Sequence, residues 1–120
     1  MRTSRNLRAQ GTYYEEQAVS FLEERGYRIL ARNFRCPKGE IDIISRDGEY
    51  LVFTEVKYRS TPGSGEGLEA VDYRKQRRIS QSAIWYLTRY YPDQTPPCRF
   101  DVVSFLGNEI TLIQDAFWMN

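Results

Sequence analysis

The residues best equipped for chemistry lie in one stretch, GEIDIISRDGEYLVFTEVK, Gly39 to Lys57. Its apolar density and the Asp47-Gly48 turn signal predict two buried strands joined as a hairpin. Yet Glu40, Asp42, Glu55 and Lys57 fall inside it. Burying a charge is costly unless the charge is paired or bound to a metal. Strand side chains alternate between faces. By that rule Leu51, Phe53, Glu55 and Lys57 share one face, and Glu40, Asp42 and Ile44 share a face opposite Ile41 and Ile43. With Asp47 and Gly48 as the two turn residues, Arg46 pairs with Glu49. Glu40 then lies opposite Glu55, with Asp42 diagonal to it. Three carboxylates and one ammonium are expected at one end of one face.

Glu15 points the same way from another element. At about 100° per residue it shares a helical stripe with Ala18, Val19 and Leu22, whereas Glu16 turns aside with Ser20 and Glu23. Carboxylates gathered at one point repel each other unless a cation sits between them. Oxygen ligands without His or Cys suit Mg2+, Mn2+ or Ca2+. A lysine beside them can orient a water and stabilise charge developing on a phosphate. The competing reading is structural: a buried Lys57–Glu55 ion-pair network, or exposure at a sheet edge. The sequence has no histidine, which excludes Ser-His-Asp and Cys-His nucleophiles and His-ligated zinc.

The elements that must position these groups are legible in outline. Residues 1–10, with Arg2, Arg5 and Arg8 and no acid, predict a mobile basic tail. A helix runs from Gly11 and stops at Gly26. YRILARNF predicts a strand and CPKG a turn before the hairpin. STPGSGEGLE, residues 60–69, predicts a mobile loop. Asp72 caps a helix from Tyr73, with Ile79, Ala83, Tyr86, Leu87 and Tyr90 as its core stripe and Pro92 ending it. RFDVVSFL and NEITLIQDAF predict two last strands turning at Gly107-Asn108. The order α-β-β-β-α-β-β is that of a mixed α/β (α+β) domain, a mixed sheet flanked by helices. At 120 residues, residues 11–120 form one domain able to bury a core without disulfides or structural metals.

Composition is that of an ordinary soluble protein, and the net charge of +1 neither favours nor excludes nucleic acid. No apolar run is long enough for a membrane helix, and the basic, polar N-terminus predicts no secretory signal. Cys36 and Cys98 lack CxxC spacing and read as free thiols of a cytoplasmic protein.

An acid on one strand followed by Glu55-Val56-Lys57 on the next resembles the D…(D/E)-X-K signature of the restriction-endonuclease-like superfamily. Archaeal Holliday-junction resolvases are similar and add a glutamate from the preceding helix. More closely, the chain resembles the YraN-like bacterial proteins, from about Gly11 to Phe117. The landmarks are Gly11…Glu15-x-x-Ala18, Gly39-Glu40-Ile41-Asp42, Phe53-Thr54-Glu55-Val56-Lys57, Lys75-Gln76-x-Arg78 and Arg99-Phe100-Asp101. The resemblance implies a restriction-endonuclease-like five-stranded mixed sheet and a nuclease using Mg2+ or Mn2+. Asp42, Glu55 and the Val56 carbonyl would be metal ligands, Lys57 the catalytic lysine and Glu15 the helix-borne acid. Glu40 has no fixed role in that pattern, and Ile41 stands where the superfamily often has proline.

The second helix opens with Arg74, Lys75, Arg77 and Arg78. Lys75 shares the stripe of Ile79 and Tyr86 and points toward the acidic group. Arg74, Arg78, Trp85 and Arg89 form an outer stripe suited to phosphates and an exposed base. The alternative for that stripe is a solvated face. Arg99 and Asp101 share a strand face and read as an ion pair, and the tyrosines read as packing residues. The expected activity is phosphodiester hydrolysis in DNA, rather than RNA, including branched or damaged structures. The alternatives are a nucleic-acid-binding module that does not cut, or a subunit working with a protein partner. A branched substrate would favour a homodimer.

Overall fold

A computed structural model describes residues 4–59 and 72–119, with the backbone alone for residues 4–10 and 59. The elements are α1 (Ser4–Glu24), β1 (Arg28–Cys36), β2 (Gly39–Asp47), β3 (Tyr50–Arg59), α2 (Tyr73–Tyr90), β4 (Cys98–Leu106) and β5 (Glu109–Phe117). This is the expected α-β-β-β-α-β-β order. Helix α1 starts at Ser4, ahead of Gly11, so residues 4–10 of the expected tail continue the helix. The first three residues and the Gly/Ser/Pro-rich stretch 60–69 lie outside the described residues.

The five strands form one sheet in sequence order, with β3 and β4 parallel and every other neighbouring pair antiparallel. Hairpins explain the antiparallel pairs. The parallel pair needs a crossover, and α2 supplies it. Asp72 caps α2, its Oδ1 accepting from the Lys75 amide at 2.8 Å. That start places the first turn of α2 beside the C-terminal end of β3. The helices cover opposite faces. Ile79, Ala83, Tyr86 and Leu87 of α2 pack with Ile41, Ile44, Leu51, Phe53, Phe100 and Val102. Ala18 and Leu22 of α1 pack with Ile43, Val52, Val103 and Phe105 on the other face. Tyr90, expected in the α2 core stripe, is 57% exposed because the helix ends there and its ring leans on Tyr86 from outside. Cys36 and Cys98 are free thiols.

The β2–β3 register differs from the expected one. Asp47 pairs with Tyr50 and Ile43 with Thr54, so the turn residues are Gly48 and Glu49 rather than Asp47 and Gly48. Gly48 has φ +61, and a hairpin turn with glycine at its first central position matches the strand twist. The register shift is two residues, which moves partners along the ladder without changing their faces. Glu40 is therefore not opposite Glu55.

Alternation itself fails within β2. Ile41 and Ile44 both join the α2-side core, whereas Ile43 joins the α1 side. Asp42 is thus where β2 changes phase, and Ile41 and Ile43 do not share a face as simple alternation predicts. In β1, Ala31 and Phe34 both pack on the α2 side, and Asn33 between them has φ +52. Asparagine tolerates that left-handed conformation. The pairs Arg32↔Ile43 and Phe34↔Ile41 bracket Asn33 and Asp42, so the two irregularities are neighbours.

Gly39, which starts β2, has φ +146, and a Cβ there would meet Ser82 Oγ of α2 at 3.2 Å. Gly39→Ala is expected to cost about 1–3 kcal/mol through backbone strain, read as a lower urea midpoint with an unchanged slope. An unchanged midpoint would show that β2 enters the sheet with less constraint than this.

In β4, paired with Thr54 of β3, Asp101, fully buried, accepts four hydrogen bonds. They come from Arg99 Nε and Nη2, each at 2.9 Å, and from the Tyr27 hydroxyl and the Asp115 amide, each at 3.0 Å. Arg99 also donates to Asp47 Oδ2 at 2.8 Å and to the Tyr27 hydroxyl at 2.7 Å. The expected Arg99–Asp101 ion pair is therefore the centre of a larger structural network. Burial pushes the Tyr27 phenol up to about 12.

Candidate functional site

The β2–β3 ladder stops at Ile43↔Thr54. Beyond it the two strands part, and the next backbone donor of β3 is met by a side chain: Val56 N–H donates to Asp42 Oδ2 at 2.8 Å. The phase change at Asp42 brings its carboxylate level with the sheet, into the gap, rather than onto one face. Glu55 lies on the α2 side of that gap. It is buried, and its Oε2 meets Lys75 Nζ at 2.5 Å. Lys57 follows it on the same strand face by alternation.

Glu15 approaches from the α1 side. It is buried, and Oε1 accepts from Asn33 Nδ2 at 2.6 Å and from Arg32 Nη2 at 3.3 Å. The carboxylates therefore do not share one face as the sequence suggested. Glu55 and Glu15 flank Asp42 from opposite layers. Among the described residues no three Asp, Glu, Cys or His side chains gather as a ready metal cage. Glu40 sits at the rim, half in solvent, paired with Arg35 at 3.3 Å. Thr12, Glu15, Asn33, Glu40, Asp42 and Tyr58 line a cleft of about 440 Å3 that opens from the gap on the α1 side.

The electrostatics follow from this arrangement. Burial, followed by the charge of Glu55, pushes the Asp42 carboxyl up to about 8; the Val56 amide opposes the rise and Glu15 adds to it. Burial alone would pull the Lys75 ammonium down, but the charge and hydrogen bond of Glu55 outweigh it and raise it. Asp72 is held below the usual carboxylate range, chiefly by the Lys75 amide, with the charges of Arg74 and Lys57 helping. Arg74, Arg77 and Arg78 are exposed on the first turns of α2.

A raised carboxyl pKa has a definite sign in stability. The folded chain holds an extra proton between the ordinary value of 3.8 and about 8. Raising the pH through that window therefore removes stability. In chelator-treated protein the urea midpoint is expected to fall from about pH 4 to about pH 8, and Asp42→Asn to flatten the slope. An equal slope in both proteins would show that Asp42 is not the proton-holding group.

Sequence reasoning missed Asn33, Arg32 and Tyr58. Asn33 carried one signal, an asparagine interrupting the β-forming run ILARNF, where a bulge or left-handed residue is common. Arg32 and Tyr58 carried none, because their place depends on the strands parting.

Fold and site together define a class: a mixed α/β domain whose five-stranded sheet opens beside a carboxylate pair, with lysines from strand and helix close by. The chain belongs to the uncharacterised protein family UPF0102, whose family model matches residues 14–105. The resemblance to YraN-like proteins is thus family membership, and the matched span contains Glu15, Asp42, Glu55, Lys57 and Lys75. The chain is 49% identical over 112 residues to a UPF0102 protein of Lachnoclostridium phytofermentans, covering 93% of this chain and 95% of that one. It is 42% identical over 115 residues to one of Janthinobacterium sp., covering 96% and 90%. It is 39% identical over 109 residues to one of Legionella pneumophila, covering 89% and 92%. Among the described residues no helix is long and apolar enough to cross a membrane.

Proposed function

We propose that this protein is a metal-dependent endonuclease of the restriction-endonuclease-like kind, hydrolysing phosphodiester bonds in cytoplasmic DNA. The observation that carries the reading is the Asp42–Glu55 pair. The fold holds two carboxylates together at a break in its sheet, at a cost visible in the raised Asp42 pKa, and opens Asp42 to a cleft. A stable fold gains nothing from that repulsion, whereas a hard cation would reverse it.

The donor set fits Mg2+ or Mn2+. Asp42 and Glu55 offer carboxylate oxygens. The Val56 carbonyl leaves the strand on the same side as its amide, which points at Asp42. Glu15, held by Asn33 and Arg32, would contribute from the opposite layer, through water rather than directly. A cation bound there would supply Lewis-acid polarisation of a phosphate oxygen. Lys57 orients the attacking water and stabilises charge on the phosphate. Lys75 balances Glu55 when no cation is near and is free to turn to a phosphate when one is. Arg74, Arg77 and Arg78 extend the positive surface along α2 for the nucleic-acid backbone.

The test is a panel of labelled single-stranded, duplex, flap and four-way-junction DNA, with RNA counterparts, incubated with Mn2+ and wild type or Asp42→Ala. Asp42-dependent cleavage supports the reading. Calorimetry that finds no Mg2+ or Mn2+ binding dependent on Asp42 and Glu55 would favour a binding-only module. The basic, exposed start of α2 is what that second reading rests on. Cleavage by the isolated chain would remove the need for a protein partner, and preference for junctions would point to a homodimer.

A further inference from the structure

Tyr58 borders the same cleft as Asp42. Its ring stacks on Tyr14 at 4.3 Å between centroids and 14° between planes. Tyr14 in turn packs against Phe105 of the α1-side core at 5.1 Å. Tyr13 meets Tyr14 edge-on at 5.2 Å. Tyr58 is 38% exposed and Tyr13 57%. An exposed ring is commonplace, but this one is backed by a second ring that is itself anchored in the core, so its plane is fixed. A fixed aromatic face at the wall of a polar cleft is a stacking surface.

The charges of the cleft say what would stack there. Glu15, Asp42 and Glu40 line it, with Arg35 paired to Glu40, so away from the Asp42 end its interior offers acceptors that suit a base edge rather than a phosphate. Ring N–H and amino groups on a base edge are donors, and carboxylates and the Asn33 amide accept them. A volume of about 440 Å3 lies within the range of small-ligand sites and admits one nucleotide. Double-helical DNA cannot offer such a base without unstacking it.

We infer that Tyr58, backed by Tyr14, is a stacking platform for one unpaired base next to the phosphate held at Asp42 and Glu55. The substrate class is then DNA with a single-stranded or unpaired nucleotide at the cleavage point. This rests on the nucleic-acid reading given above and narrows it. The tyrosines at this corner are thus more than the packing residues their sequence suggested.

The experiment measures anisotropy of a fluorescein-labelled oligothymidylate of about 10 nucleotides and of a blunt duplex, both with Ca2+. Cleavage of the same strand with Mn2+ is followed in parallel. Wild type is expected to prefer the single strand. Tyr58→Leu should weaken single-strand binding about 10-fold, the size of one lost stack, with little change on the duplex, and Tyr58→Phe should keep wild-type affinity. If Tyr58→Leu binds the single strand like wild type, the platform is overturned, while Asp42-dependent binding or cleavage leaves the nuclease reading standing. If wild type binds neither probe and shows no Asp42-dependent cleavage, both fall. Should Tyr58→Leu not fold, a 5-iodouracil oligothymidylate photocrosslinked to wild type decides. A crosslink at Tyr58 or Tyr13 supports the platform, and crosslinks confined to other surfaces overturn it.

Discussion

Asp42→Ala is expected to lower metal-dependent cleavage by at least about 100-fold, the usual loss when one preorganised charge-stabilising group is removed. Stability in chelator should not fall with it. Asp42 is held beside Glu55 against repulsion, so its removal relieves a cost, and the Val56 amide it caps opens on a wet cleft where water can replace the carboxylate. Activity and stability should therefore move apart. Lost cleavage with an equal or higher urea midpoint is the signature of a functional carboxylate. Lost cleavage with a lower midpoint would instead show that Asp42 holds the strands together. Full activity in the purified variant would sink the mechanism.

Asp101→Ala is expected to have the largest effect on folding, about 3–5 kcal/mol, because it removes the fully buried half of an ion pair and leaves its donors short of acceptors. Arg99 would keep Asp47 but lose both bonds to Asp101, and the Tyr27 hydroxyl and Asp115 amide would each lose an acceptor. The Asp101→Asn variant should lie between the two, keeping shape without charge. Urea unfolding of the three proteins measures this directly. A loss under about 1 kcal/mol would place the network with exposed ion pairs rather than buried ones.

Much of this architecture could be read from local signals. Asp72 before YRKQRRIS marks a cap, and the structure places it there. Gly107 and Asn108 form the turn between β4 and β5. The sequence also indicated that Glu15 lies on the buried side of its helix, and Glu15 is buried. The hairpin register was misjudged because Asp-Gly and Gly-Glu are both plausible turn centres in RDGEY, and only the twist of paired strands chooses between them. The phase change at Asp42 was not legible at all. Alternation is a local rule, and it broke here because Asn33 on the neighbouring strand adopts φ +52. That is a relation between two strands, and alternation within one strand cannot see it. The same break explains why carboxylates expected on one face flank Asp42 from two.

This paired defect behaves like a stacking fault in a crystal. Two neighbouring rows slip together at one place, so that they still match across it. A carboxylate lodged in the fault belongs to neither surface of the sheet and is open to both. Glu55 and the lysines address it through one layer, and the cleft with Tyr58 through the other. Counter-charge and cleft therefore meet the same carboxylate from separate layers.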